Sequence, residues 1–295
     1  MKSGEEQILG IVIAAYNAED FLKRAVRSVL RQTCEKWELL IVDDGSDDRT
    51  FELATEYASA DTRIGALSIP NSGAALARNE GSKKLVSDWF CFLDADDELA
   101  PDYVQQMSDF RDRNLGFQIY GCDGMKIRLD GSNEKIFAYE DCFEVPLLRQ
   151  IQANSIIGGG GLIEKVSFDR VGCFRDVLAE DYDLWVRMLA SGCRAKVTPY
   201  IGYRYYEVKG QKSERVVANT RSVIGSLDFI NKSYDLSDEE KSALRASRHS
   251  FKTGILFLRI ERALSLFLGA KKSAKAIEVI KGFARFIKKI VRGGR

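Results

Sequence analysis

The first ninety-odd residues alternate between short aliphatic runs and amphipathic stretches, and each aliphatic run ends on polar side chains. Residues 8–14 form a continuous apolar run bounded by Tyr16-Asn17. Such a run reads as a strand buried on both faces. Asn17 is a plausible helix N-cap, with Glu19 and Asp20 in the first turn and Phe21, Leu22, Ala25, Val26, Val29 and Leu30 on one face. The rhythm repeats with a strand at 39–42, a helix carrying Phe51, Ala54 and Tyr57, a strand at 66–69, a helix at 74–85 and a strand at 89–93. Strands separated by helices predict a parallel sheet covered on both faces. In such sheets ligands bind beyond the carboxyl ends of the strands. Tyr16, Asp43, Asp44, Asn71, Asp94 and Asp96 all fall at those ends.

Beyond Pro101 the pattern is mixed. A helix is expected at 102–111, strand-like pieces at 117–122 and 125–129, a helix at 181–190 and a last strand at 196–206. From Ser213 onward the chain reads as helical. Gly158-Gly159-Gly160-Gly161 marks a flexible or closely approaching backbone. The expected organisation is a first half at 1–100, a second half of the same domain at 101–212, and a helical extension at 213–295.

Composition excludes several chemistries. The 295 residues carry 44 basic and 43 acidic side chains for a net charge of +1, so no global field favours nucleic acid. The one histidine, His249, excludes multi-histidine zinc sites and leaves little room for a Ser-His-Asp nucleophile. The six cysteines are scattered without metal-ligand spacing and read as free buried thiols of a reducing compartment. No signal peptide is evident at the N-terminus, and no run reaches the roughly 18 apolar residues of a membrane span. The expected location is therefore cytoplasmic.

Asp94-Ala95-Asp96 places two carboxylates of the same parity at a strand end. Mg²⁺ or Mn²⁺ takes hard oxygen ligands, commonly one or two carboxylates with phosphates and water. Asp96 is the main candidate ligand, Asp94 assists at metal or ribose, and Asp97 is a secondary candidate; a solvated turn is the alternative.

Taken in order, Ile11-Val12-Ile13-Ala14-Ala15-Tyr16-Asn17, Ser28-Val29-Leu30-Arg31-Gln32-Thr33, Asp43-Asp44-Gly45-Ser46, Asn71-Ser72-Gly73, Ala77-Arg78-Asn79, Phe92-Leu93-Asp94-Ala95-Asp96-Asp97 and Glu180-Asp181-Tyr182-Asp183-Leu184-Trp185 resemble the family-2 glycosyltransferases. The resemblance covers about residues 8–206 and implies that 1–100 is the donor-binding half and 101–212 the acceptor-binding half. It implies a GT-A fold (Rossmann-like, with a mostly parallel central sheet), a nucleotide-diphosphate-sugar donor such as a UDP-sugar, a divalent metal (Mn²⁺ or Mg²⁺) and inversion at the anomeric carbon. By the same resemblance Asp44 accepts a hydrogen bond from the base, and Ala14 and Tyr16 line its pocket. Asp43 either contacts the ribose or closes its strand, while Asn71 and Arg78 are candidates for nucleotide contact. Asp181 matches the position of the base that deprotonates the acceptor hydroxyl. Glu180 is expected to orient acceptor or base, and Trp185 either forms an acceptor platform or packs in the core. Tyr206 stands where many members carry a histidine, which puts a third protein ligand to the metal in doubt and leaves a basic loop near 207–215 to close over the diphosphate.

The C-terminal stretch 271–295 is rich in Lys and Arg, with Glu278 its one acid, and spaces Ile277, Ile280, Phe283 and Ile287 at near-helical intervals. A basic amphipathic helix suits an anionic membrane surface, the alternative being a helix packed on the domain. The acceptor expected from this reading is a glycan or a lipid-linked saccharide of the cell surface. Rival readings are a nucleotidyltransferase, which lacks its glycine-rich triphosphate loop here, and a non-catalytic nucleotide-sugar-binding scaffold. A dinucleotide oxidoreductase is disfavoured because G-x-G-x-x-G does not follow the first strand.

Overall fold

The computed structural model describes residues 8–207 and 214–268. The expected basic tail at 271–295 and most of the loop at 207–215 lie outside them. In chain order the elements are β1 (Leu9–Ala15), α1 (Leu22–Leu30), β2 (Trp37–Asp43), α2 (Thr50–Ala60), β3 (Ile64–Ser68), α3 (Ala74–Lys84), β4 (Trp89–Asp94), β5 (Glu98–Leu99) and α4 (Tyr103–Arg113). There follow β6 (Ile119–Ile127), β7 (Asn133–Lys135), β8 (Phe143–Glu144), α5 (Leu147–Gln152), β9 (Leu162–Glu164), α6 (Lys165–Arg170), α7 (Glu180–Ala190), β10 (Ala195–Tyr206), α8 (Glu214–Ser233) and α9 (Asp238–Leu268). The pieces expected at 117–122 and 125–129 are one strand, β6.

The strands form a single 10-stranded sheet in the order β3-β2-β1-β4-β9-β6-β10-β5, with β7 beside β6 and β8 beside β10. The first four strands are parallel, as their aliphatic runs predict. β9 runs antiparallel to both β4 and β6 and joins the two halves of the sheet. β6 and β10 are again parallel. One face is covered by α1, α2 and α4, where Leu22, Val26, Val29, Ala54, Val104 and Met107 are buried. The other is covered by α3, α5 and α7, with Leu227, Ile230 and Leu244 of α8 and α9 closing the layer outside. This is a mixed α/β architecture of the GT-A kind.

Register fixes the site. Ala14 of β1 is opposite Val42 of β2 and Asp94 of β4, and Ala15 is opposite Asp43. The carboxyl ends of three central strands therefore lie side by side. One local expectation changes. Asn17 does not cap α1, which starts at Leu22 and has no side-chain cap. It adopts φ 47°, and its Oδ1 accepts the Asp47 N–H at 2.9 Å, tying the β1 exit to the loop after β2. Asn is among the few side chains that tolerate this left-handed conformation.

Candidate active site

At the β2 end, both neighbouring aspartates are buried. Asp43 accepts the Ser68 hydroxyl at 2.9 Å and the Ser46 N–H at 3.3 Å, so it knits the strand ends together. Asp44 accepts the N–H groups of Ser72 at 2.7 Å and Gly73 at 2.9 Å, one on each oxygen. Gly73 has φ 90°, a conformation that glycine enters without a Cβ clash and that turns its N–H toward Asp44. Each carboxylate oxygen keeps a further acceptor site for a ligand. Tyr16 is 49% exposed at the β1 exit, which sets aside simple core packing for its ring. Ala14 is half-buried beside it and Asn71 is exposed in the loop after β3.

The aspartate cluster divides into two roles. Asp94 and Asp96 are half-buried at the open edge. Burial, and then the charge of Asp94, raises the Asp96 carboxyl above its ordinary range. Two converging carboxylates of like charge are what a hard divalent cation relieves, so the donor set fits Mn²⁺ or Mg²⁺. No group of three or more His, Cys, Asp or Glu among the described residues could hold a metal. A cation here would have two carboxylates at most from the described residues and would need phosphate or water besides. Asp97, the secondary candidate, turns inward and is fully buried. It accepts the Tyr203 hydroxyl at 2.7 Å and the Tyr206 N–H at 2.8 Å. Burial, with the Asp94 charge second, pushes it up to about 8. Its observed work is to fix β10 behind the cluster.

Arg78 of α3 joins the two sides of the site. It donates to Asp94 Oδ1 at 2.7 Å and to Glu180 Oε1 at 2.8 Å, and it is only 9% exposed. Such charge-assisted bonds are stronger than neutral ones. Asp181, next along α7, is pushed up to about 7. Burial is the main cause, Arg78 opposes it, and the charges of Glu180 and Asp94 add to it. The glycine run makes room for this carboxylate: a Cβ on Gly158 would lie 1.8 Å from Asp181 Oδ2, and one on Gly159 would meet the Tyr203 ring at 2.3 Å. The run is a close-approach segment.

Trp185 requires a correction. It is 1% exposed, with its ring edge 3.3 Å from where a Gly161 Cβ would sit, and it belongs to the core. A ring enclosed in this way offers no face to an acceptor.

The model of the Glycosyl transferase family 2 matches residues 10–163, just over half of the sequence. The chain belongs to that family. It is 32% identical over 216 residues to the succinoglycan biosynthesis protein ExoO of Rhizobium meliloti, covering 68% of this chain and 61% of ExoO. The chain spans about half, or less, of the length of several other curated relatives it matches. Among solved structures, S. aureus TarS 1-349 in complex with UDP-GlcNAc superposes with a TM-score of 0.70 at 18% identity, over 83% of this chain and 72% of TarS 1-349. Mannosyltransferase PcManGT from Pyrobaculum calidifontis, in complex with GDP-Man and Mn²⁺, gives 0.66 at 14% identity, over 95% and 81%. At these identities the likeness is one of fold.

Two features of this family-2 site escape sequence reasoning. Arg24 of α1 donates to the Asp96 carbonyl and places its guanidinium carbon 3.9 Å from the Tyr206 ring centroid. The Tyr206 hydroxyl donates to Glu98 at 2.6 Å. Tyr206 is thus part of a cation–π clamp on the aspartate turn. Arg187 and Arg175 both grip the buried Asp183, at 2.7 and 3.0 Å, and so anchor α7. The i,i+4 spacing of Asp183 and Arg187 was a readable signal for that pair; nothing local points to Arg24.

Proposed function

We propose that this chain is an inverting glycosyltransferase that moves a sugar from a nucleotide diphosphate, most simply a UDP-sugar, to a hydroxyl of a glycan or lipid-linked saccharide in cell-surface polysaccharide biosynthesis. The observation that carries the reading is the bridge through Arg78. It brings the donor-side Asp94 and the Glu180-Asp181 pair into one site, with Asp181 poised near 7. A base with that poise accepts a proton efficiently at neutral pH.

In this reading Asp44 and Tyr16, with Ala14 and Asn71, receive the nucleoside, and Asp43 supports the ribose end. Asp96 and Asp94 hold Mn²⁺ or Mg²⁺, which neutralises the leaving diphosphate when bound. Arg78 keeps Glu180 in place beside the base. Asp181 takes the proton of the acceptor hydroxyl as that oxygen attacks the anomeric carbon and the diphosphate leaves on the opposite side. UDP-GlcNAc in TarS supports a uridine donor and the name of ExoO supports a polysaccharide pathway; Mn²⁺ in PcManGT supports the metal. No helix among the described residues is long and apolar enough to cross a membrane. The basic 271–295 stretch would bring the catalytic domain to the inner face of an anionic membrane.

The test is metal-dependent release of UDP from a panel of UDP-sugars, with and without acceptor. Asp181→Asn should keep donor binding and lose transfer to the acceptor. Binding without any turnover by the unmutated protein would favour the scaffold reading.

A further inference from the structure

A second concavity lies beyond the base. It is a cleft of about 730 Å³ walled by the loop after β7 and by the end of α5. Its shape is built rather than incidental. The buried carboxylate of Asp123 accepts the N–H groups of Phe137 at 3.0 Å and Tyr139 at 3.2 Å. Ala138 between them is held at φ 52°, a left-handed conformation that a non-glycine residue adopts only where its surroundings fix it. The Tyr139 hydroxyl donates to the Ser155 carbonyl across the floor at 2.5 Å. Buried Gln150 donates to Asn154 Oδ1 at 2.7 Å and accepts the Ser155 N–H at 2.9 Å, which fixes the other wall.

The cleft presents hydrogen-bonding groups beside aromatic surface. Glu140 and Asp141 are exposed on its lining and have no ion-pair partner among the described residues. With its oxygen held by Gln150, Asn154 retains its amide N–H donors. Phe137 and Tyr139 stack with centroids 5.1 Å apart. Arg149 lies over Phe143 at 4.1 Å. Carboxylates and amides that accept from and donate to hydroxyls, next to the half-buried rings of Phe137 and Phe143, are groups that recognise a saccharide. Two acids against one arginine disfavour a polyanionic chain.

The cleft also lies within reach of the base. Ser155 on its lining is three residues before Gly158, which sits against Asp181, and three residues span at most about 11 Å. Behind the cleft, in the buried layer, the Tyr182 hydroxyl, next to Asp181, donates to the Ile151 carbonyl of α5 at 3.4 Å. The short segment 155–158 thus joins the cleft to the Asp181 contact, which makes the cleft a neighbouring surface for the preceding units of a glycan held at Asp181.

We propose that the Phe137–Ser155 cleft is an acceptor subsite for an uncharged saccharide chain, holding the units that precede the accepting sugar. This rests on the transferase reading above. The full chain is titrated with neutral hexasaccharides of glucose and of galactose, and with a glycerol-phosphate oligomer of similar length, with binding followed by saturation-transfer NMR and calorimetry. A neutral hexasaccharide should bind, and Glu140→Ala with Asn154→Ala should weaken it on the order of ten-fold, as expected for two lost hydrogen bonds. UDP affinity and donor hydrolysis should be unchanged in that double variant. Preference for the phosphate oligomer, unaltered binding in the double variant, or no binding of either neutral probe would overturn the subsite. Loss of donor hydrolysis in the unmutated protein would count against the transferase reading instead, so the two failures are separable.

Discussion

The Asp181 carboxylate occupies the space where a side chain on Gly158 would begin, with Oδ2 1.8 Å from the ideal Cβ position. Gly158→Ala must therefore move Asp181. A displacement of about 1 Å at a reacting group can cost about a hundred-fold in rate. The expected outcome is a loss in kcat of that order with little change in the Kd for UDP, read by steady-state kinetics and calorimetry.

Asp96→Asn removes the main candidate metal ligand from a position where its charge is already opposed by burial and by Asp94. The fold should survive, with an unchanged or higher Tm. Mn²⁺ affinity in the presence of UDP should fall by at least about ten- to a hundred-fold, the loss typical of even indirect damage to a metal site. Calorimetric titration of Mn²⁺ into the protein with UDP checks it.

Asp181 also predicts a pH signature. In the folded chain its carboxyl is raised to about 7, whereas its ordinary value is 3.8. Folding therefore takes up a proton between those values, and the contribution of Asp181 to stability is full below about 4 and declines as pH rises through 7. Asp181→Asn should raise Tm over the unmutated protein at pH 8 and leave it nearly unchanged at pH 4. Transfer should fall on acidification below about 7, as the base becomes protonated. Thermal melts and kcat profiles across that range test both.

Arg24→Ala loses the bond to the Asp96 carbonyl and the face of Tyr206. It should cost about 1–2 kcal/mol of stability by denaturant midpoint. Combined with Tyr206→Ala the effects should be less than additive, with a coupling of about 0.5–2 kcal/mol.

The first four parallel strands of the fold were legible because their information is local. Aliphatic runs dictate parallel strands, and aspartates at their ends mark the ligand edge. Asp181 was singled out through its motif, and its part as base is the proposal made above. What stayed hidden depends on contacts between distant elements. Nothing in the run around Leu162 says that β9 will lie antiparallel between β4 and β6. Trp185 follows the motif so closely that only its burial beneath Gly161 separates packing from binding. Asp97 shares a turn with Asp96, yet Tyr203 and Tyr206 on β10 decide that it points inward. Asn17 has the chemistry of a cap, but its left-handed backbone spends that oxygen on Asp47.

The anchoring of α7 bears on how this chain can be divided. The family match ends at residue 163, ahead of Glu180 and Asp181. The helix bearing them is secured from beyond: the Ala179 N–H donates to the Ser222 hydroxyl of α8 at 3.1 Å, and Arg175 lies 3.8 Å from the Phe229 ring centroid. The family match thus stops short of this helix, while Glu180 and Asp181 depend on scaffolding from the C-terminal helices. A hybrid made by exchanging C-terminal portions between relatives would have to carry those helices along, because a junction placed just after β10 would separate Asp181 from what holds its helix upright.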